Sequence, residues 1–285
     1  MCSNWIDTFN DRQRAVLSVD IPGGGFSKSF AINADKLYSI DKDDGRLFMI
    51  SSTTGSIERT FDLAQHITKP NCLCILDCDL VAISATNGAF IFNKLNSSTV
   101  KLCDGVCSGI VKDNLDIIAL RHTKDASYLV RFKRCNNAET HNSWTLKTEI
   151  TLRYRTPSIH DTLLISDHMV FISSWINGCV YEFNRSGDMI AKYGERGHGS
   201  TGVLWRPFLI GMDDHQNVLI AEPDKKRLQT LDCNQGVWSV VNTSNLPRDV
   251  KSPILFAQIQ DSLDDRCMWI LCDNGRKLVK TVKDN

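Results

Sequence analysis

Apolar residues recur at every second position along this chain, in short runs cut off by polar turns. Alternation of that kind is the period of a half-buried strand, not of a helix. A first group of runs falls at 30–32, 36–40, 46–50 and 57–63, with turns at 33–35, 41–45 and 51–55. Asp44-Gly45 within it is a tight hairpin signal. A second group falls at 72–76, 80–84, 89–93 and 99–103, and Asn87-Gly88 is its hairpin turn. A third has runs near 110 and at 115–120, 128–132 and 144–150; its polar insert, 133–143, is expected to lack order. A fourth falls at 162–165, 169–173, 179–183 and 189–193. A fifth has strands at 208–212, 218–221, from Arg227, and at 236–241. A sixth has only three, at 254–259, 267–272 and 277–282. Helical periodicity is confined to one candidate turn at 61–67.

The second strands begin near Lys36, Leu80, Leu115, Met169, Val218 and Cys267. Intervals of roughly 35 to 55 residues are the range of propeller repeats. The sixth group is one strand short, and an orphan alternating stretch at 15–21, ended by Pro22-Gly23-Gly24-Gly25, supplies it. Pairing both ends of the chain in one blade removes an open edge. The expected architecture is all-β: a six-bladed β-propeller over 14–285, its last blade closed by an N-terminal strand. A polar tail at 1–13, with Trp5 as its one anchoring aromatic, precedes it. Two separate β-sandwiches are disfavoured by the continuous six-fold count.

Composition narrows the function classes. With 285 residues, 42% hydrophobic and 23% charged, the chain can bury a sizeable core. Its formal net charge is zero, so any affinity for nucleic acid must come from local asymmetry. No run approaches the ~18 apolar residues of a membrane span. The N-terminus lacks the apolar run of a secretion signal. Eleven scattered cysteines then read as reduced thiols of a cytoplasmic protein.

Candidate chemistry is sparse. Cys72, Cys74 and Cys78 lie close together, with Cys103 and Cys107 further on, but Cys72 and Cys74 share one strand face; buried thiols beside the core are expected, not zinc. His66, His122, His160 and His198 do not recur at one blade position, as a ring of axial ligands would. No Gly-x-Ser-x-Gly nucleophile motif occurs. No catalytic residue, metal or cofactor is therefore assigned. The loop charges are more informative. The face carrying the links between blades and the loops joining second to third strands gathers bases among aromatics. Arg153, Tyr154, Arg155, Trp175, Trp205, Arg206, Lys225, Lys226 and Arg276 are the residues expected to line it. The opposite face is acidic, with Asp77, Asp113 and Asp116 among its residues. Bases interleaved with aromatics suit single-stranded RNA, whose phosphates and bases they hold, and equally an acidic protein partner. An ordinary solvated surface is the plain alternative.

The stretch 193–232 carries Gly194, Gly197, Gly199, Gly202, Pro207, Asp213, Asn217, Ala221, Arg227 and Asp232. In this pattern it resembles an NHL repeat, the blade unit of a family of β-propellers. It departs at Glu222, where the family usually has Asp, and at Lys225-Lys226, where it has Asn-His. The match is good for this one blade. The resemblance implies a non-enzymatic recognition module, similar to the C-terminal propeller of tripartite-motif NHL proteins, that binds RNA or a protein partner. The RING, B-box and coiled-coil regions of those proteins have no counterpart here, so ligase catalysis is not expected. The competing expectation is a metal-dependent propeller hydrolase or lyase with its site at the axial channel. A monomer without membrane contact is expected.

Overall fold

The structure, a computed structural model, describes residues 13–21, 30–135, 143–154, 158, 160–197, 202–212, 215–233, 238–245, 256–261, 266–272 and 277–283. Six four-stranded antiparallel sheets, each a meander, follow one another along the chain. Blade 1 comprises Phe30–Asn33, Lys36–Asp41, Arg46–Ser51 and Ile57–Asp62. Blade 2 comprises Pro70–Ile75, Leu80–Ala85, Gly88–Asn93 and Thr99–Cys103. Blade 3 comprises Val106–Asp113, Asp116–His122, Ser127–Cys135 and Ser143–Leu152. Blade 4 comprises Thr162–Ile165, Met169–Ser174, Cys179–Asn184 and Met189–Tyr193. Blade 5 comprises Phe208–Met212, Val218–Glu222, Arg227–Asp232 and Ser239–Asn245. Blade 6 joins Phe256–Asp261, Arg266–Cys272 and Lys277–Lys283 to the N-terminal strand Gln13–Asp20. The first strand of each blade contacts the first strands of its two neighbours, and that of blade 6 returns to that of blade 1. The chain is a closed six-bladed β-propeller.

Burial follows from this stacking. Every residue of Leu80–Ala85 is buried, because neighbouring blades cover both faces of a second strand. The outermost strand Ile57–Asp62 is exposed at all positions but Phe61. The core is a series of layers between blades. Leu47, Phe61, Ile83 and Phe92 fill the layer between blades 1 and 2. Leu120, Leu129, Ile172 and Phe183 fill that between blades 3 and 4. Val19 and Ile21 join Phe30, Leu37, Leu271 and Leu278 where blade 6 meets blade 1.

Several local expectations are refined. The 61–67 stretch is a strand end followed by one isolated turn, closed by Ile67 N–H donating to Leu63 O at 2.9 Å. The insert in blade 3 is shorter than expected, since the ladder continues to Cys135 opposite Ser143; residues 136–142 lie outside the described residues. The tail is also shorter, because Gln13 already pairs with Lys283; Trp5 lies outside the described residues. A parallel pair not anticipated from the pattern, Glu195–Arg196 with Val203–Leu204, links blades 4 and 5.

One buried charge stands out between blades 4 and 5. Glu182 is 0% exposed, and neither carboxylate oxygen makes a well-formed hydrogen bond among the described residues; the neighbouring Trp238 indole offsets its burial only in part. Burial raises its pKa above the ordinary carboxylate value. A raised folded-state pKa means stability that is full below the unfolded pKa and is lost as pH rises through the folded one. Glu182→Gln is therefore expected to melt higher than the parent at neutral pH. The difference should vanish as pH falls through the ordinary carboxylate range, read by thermal melts across a pH series.

Candidate recognition site

The link-bearing face of blades 4 and 5 is built around two buried carboxylates. Asp161, 1% exposed, enters blade 4. Its Oδ1 accepts from Trp175 N–H at 3.1 Å, and its Oδ2 accepts from Ser158 N–H at 3.0 Å and Tyr154 O–H at 3.1 Å. This fixes the hairpin that presents Trp175, whose base is closed by Asn177 Nδ2 donating to Ser174 Oγ at 2.8 Å. Gly178 follows at φ 61°, and a Cβ there would stand 2.5 Å from Leu204 O and 2.6 Å from Arg196 Cα. Only glycine lets the link strand lie so close to this hairpin.

Glu222, 0% exposed, does the same for blade 5. Its Oε1 accepts from Trp205 N–H at 2.9 Å and lies 3.0 Å from Lys225 Nζ. Its Oε2 accepts from Arg227 Nε at 2.6 Å. Arg206 follows Trp205 with φ 50°, a left-handed conformation uncommon for a residue with a Cβ. Local strain of that kind persists where the surroundings over-determine it, and here Glu222 anchors the preceding residue.

The result is a ladder of rings and guanidinium groups. His160 stacks on Trp175 with centroids 4.6 Å apart. Arg206 Cζ lies 4.4 Å from the Trp175 centroid and 5.7 Å from that of Trp205. Arg196 Cζ lies 4.9 Å from the Trp205 centroid. Arg206 Nη1 is 3.5 Å from Asp224 Oδ2, and 42% of its side chain remains exposed. Aromatic faces hold the guanidinium planes by cation–π attraction and leave donor edges for an incoming anion.

The sequence-derived residues separate into distinct roles. Trp175, Trp205 and Arg206 come together in the ladder. Lys225 sits beneath it, donating to Val203 O at 2.8 Å and paired with Glu222. Lys226, exposed, follows in the same turn after a short 3-10 segment, Pro223–Lys225. Tyr154 is packed between blades 3 and 4, its ring 5.2 Å from Tyr181 and 6.2 Å from Phe183. Burial raises its pKa well above the ordinary tyrosine value. Arg153 is exposed beside it, on the rim of an open groove that Tyr181, Met189 and Lys192 also line. Arg155 and Arg276 lie outside the described residues, as does His198. His160, Arg196 and Glu222 complete the site and were not among the residues expected to line it. Glu222 carried a signal, since it stands where the NHL pattern has Asp. Loop position put Arg196 among the bases of this face and His160 in a loop of one face, but did not mark either as part of a ladder.

Elsewhere the expected charges and thiols are largely taken up by the scaffold. Asp113 is bound by Arg131 and bidentately by Arg185, at 3.1 and 3.2 Å, which ties blade 3 to blade 4. Asp77 pairs with Arg134 at 3.0 Å, and Asp116 with Arg131 at 3.0 Å and Lys147 at 3.3 Å. These three carboxylates of the acidic face are thus neutralised within the scaffold. Cys72 and Cys74 pack into the layer between blades 2 and 3. His122 is buried between Ser108 Oγ at 2.7 Å and Ser127 Oγ at 2.9 Å, and burial pushes its pKa down to about 4.

The axial cavity, about 310 Å³, is walled mainly by apolar residues of the first strands, including Phe30, Leu73, Ile110, Leu163 and Phe208. Among the described residues lining it, the carboxylate is that of Asp161, already engaged by the three donors above. No helix of the described residues is long and apolar enough to cross a membrane.

No protein-family model and no curated protein matches this chain. Solved structures do. A streptogramin B lyase superimposes with a TM-score of 0.65 at 10% identity, over 96% of this chain and 98% of that one. An auxiliary nutrient binding protein from Bacteroides thetaiotaomicron gives 0.64 at 11% identity, over 92% and 70%. A protein of unknown function from the same organism gives 0.64 at 14% identity, over 96% and 73%. At such identities the likeness is one of fold. It agrees with the closed ring of first strands: the chain is a six-bladed β-propeller.

Proposed function

We propose that this propeller is a non-enzymatic recognition module of NHL type that holds a protein partner through acidic side chains. The observation that carries this reading is the ladder of Trp175, Arg206, Trp205 and Arg196 on the link-bearing face. Its rings are covered by guanidinium groups and His160, so its outward chemistry is that of fixed N–H donors. Fixed guanidinium forks match carboxylates bidentately. Single-stranded RNA is the second reading, supported by the same charges, but base stacking needs ring faces that the ladder already uses.

Arg206→Ala is expected to weaken an acidic peptide by about 2 kcal/mol, the scale of an interface hot spot, or roughly 30-fold in Kd. Its melting temperature should move little, because the side chain is partly exposed. Lys226→Glu should weaken binding less and make it less sensitive to salt. Titration of the purified protein with an acidic peptide pool and with a random RNA pool decides the partner class. RNA retained at moderate salt, with no peptide retained, would overturn the protein-partner reading.

A further inference from the structure

Two thiols on the same face belong to no part of the ladder. Cys103 ends the outer strand of blade 2 and Cys107 lies in the inner strand of blade 3, so the short link 104–105 crosses from one blade to the next. Gly105, at φ 97°, allows that tight crossing. The two Sγ atoms are 3.9 Å apart. Cys103 is half-buried, whereas Cys107 is buried. Arg121 pairs with Cys107 across the sheet, and its aliphatic stem lies 3.6 Å from where a Cβ on Gly105 would stand. A half-buried and a buried sulfur lie close together, beside an arginine that also pairs with Glu149 at 2.7 Å, the arrangement of an attacking and a resolving cysteine.

We infer that Cys103 and Cys107 form an oxidisable dithiol, a site of modification by hydrogen peroxide whose product is a disulfide across the link between blades 2 and 3. The charge distribution supports the direction of the chemistry. The neighbouring Cys107 sulfur, a backbone hydrogen bond at Ala89 and the charge of Arg121 lower the Cys103 pKa, against the opposing effects of burial and of Asp104. The hydrogen bond with Cys103 and burial hold Cys107 as the thiol. In the first step the Cys103 thiolate attacks one peroxide oxygen: an S–O bond forms, the O–O bond breaks, and hydroxide leaves, taking up as water the proton that Cys103 released on ionising. In the second, the Cys107 sulfur attacks the sulfenic sulfur: the S–S bond forms and the S–O bond breaks. Hydroxide leaves and takes up the Cys107 proton as water. Two thiols are oxidised and one peroxide is reduced to two waters. The sulfurs must close from 3.9 Å to about 2.05 Å.

The test is a peptide map. Reduced, folded protein is treated with stoichiometric hydrogen peroxide at neutral pH, alkylated in denaturant and digested. A Cys103–Cys107 cross-link should appear before oxidation at Cys72, Cys74, Cys78 or Cys179, and dithiothreitol should reverse it. Cys107→Ser should stop at a sulfenic acid on Cys103 that dimedone traps. Cys103→Ser should leave Cys107 reduced. The inference fails if Cys103 of the native chain proceeds to sulfinic acid while Cys107 remains alkylated, or if another cysteine reacts first. The map of the native chain decides alone if either variant does not fold.

Discussion

Deleting residues 1–21 is expected to open the ring and to lower stability by about 3–6 kcal/mol, the loss of two fully buried aliphatic side chains. Those side chains are Val19 and Ile21, 4% and 6% exposed, in the layer that also holds Phe30, Leu37, Leu271 and Leu278. The deleted strand pairs antiparallel with Lys277–Lys283 from Gln13↔Lys283 to Asp20↔Lys277. Without it the last strand becomes an unpaired edge next to exposed apolar surface, a template for association. Urea unfolding and light scattering of the truncated protein report both effects. A truncated chain that stays monomeric and unfolds within about 1 kcal/mol of the parent, the scale of an ordinary surface substitution, would show that the strand does not close the ring. Val19→Ala keeps the strand and should cost only part of the total, which separates packing from pairing.

Glu222→Ala is expected to cost about 3–5 kcal/mol, the range for removing one partner from a buried ion pair. Glu222 is wholly buried, and the side chains of Lys225 and Arg227 that it neutralises are each 13% exposed. The substitution would remove the carboxylate that lies between two largely buried cations. It would also release Trp205 N–H, so that Trp205 and the left-handed Arg206 lose their anchor. Binding should therefore fall with stability, whereas Arg206→Ala affects binding alone. Glu222→Gln separates the two contributions: it keeps an acceptor for Trp205 N–H but removes the charge. Tryptophan fluorescence and urea melts are the measurements. Glu222→Gln that binds normally yet melts far lower would assign the carboxylate to stability and the hydrogen bond to positioning. An unchanged melt for Glu222→Ala would refute its role as an anchor.

The sixfold grouping of strands was legible in the sequence because it rests on local physics. Alternation sets the faces of a strand such as Lys36–Asp41, and Asp44-Gly45 and Asn87-Gly88 set the hairpins. The missing strand of the last blade was legible for the same reason, since an orphan alternating run must find an edge. Where neighbours decide, local pattern falls short. The stretch 61–67 has apolar spacing that fits a helical turn; a single turn forms at 63–67, and the first residues of the stretch are lost to it because Phe61 is claimed by the layer against Phe92.

The candidate site divides along the same line. Sequence placed Trp175, Trp205 and Arg206 on one face, since each follows a strand whose direction the meander fixes. It could not say that Arg206 lies over both rings, because the contacts join the hairpin of blade 4 to the link before blade 5. Nor could it distinguish Tyr154, whose ring packs against Tyr181 and Phe183, from Trp175, whose ring meets His160 and Arg206. The sequence by itself determined the strands, their turns, their number and the closing pair, because each depends on residues near one another in the chain. Only the tertiary structure decided which charges are spent on the scaffold and which stay at the surface, because Asp161 and Glu222 reach between strands of a blade and Arg206 joins the hairpin of blade 4 to the link before blade 5, contacts that spacing along the chain does not specify.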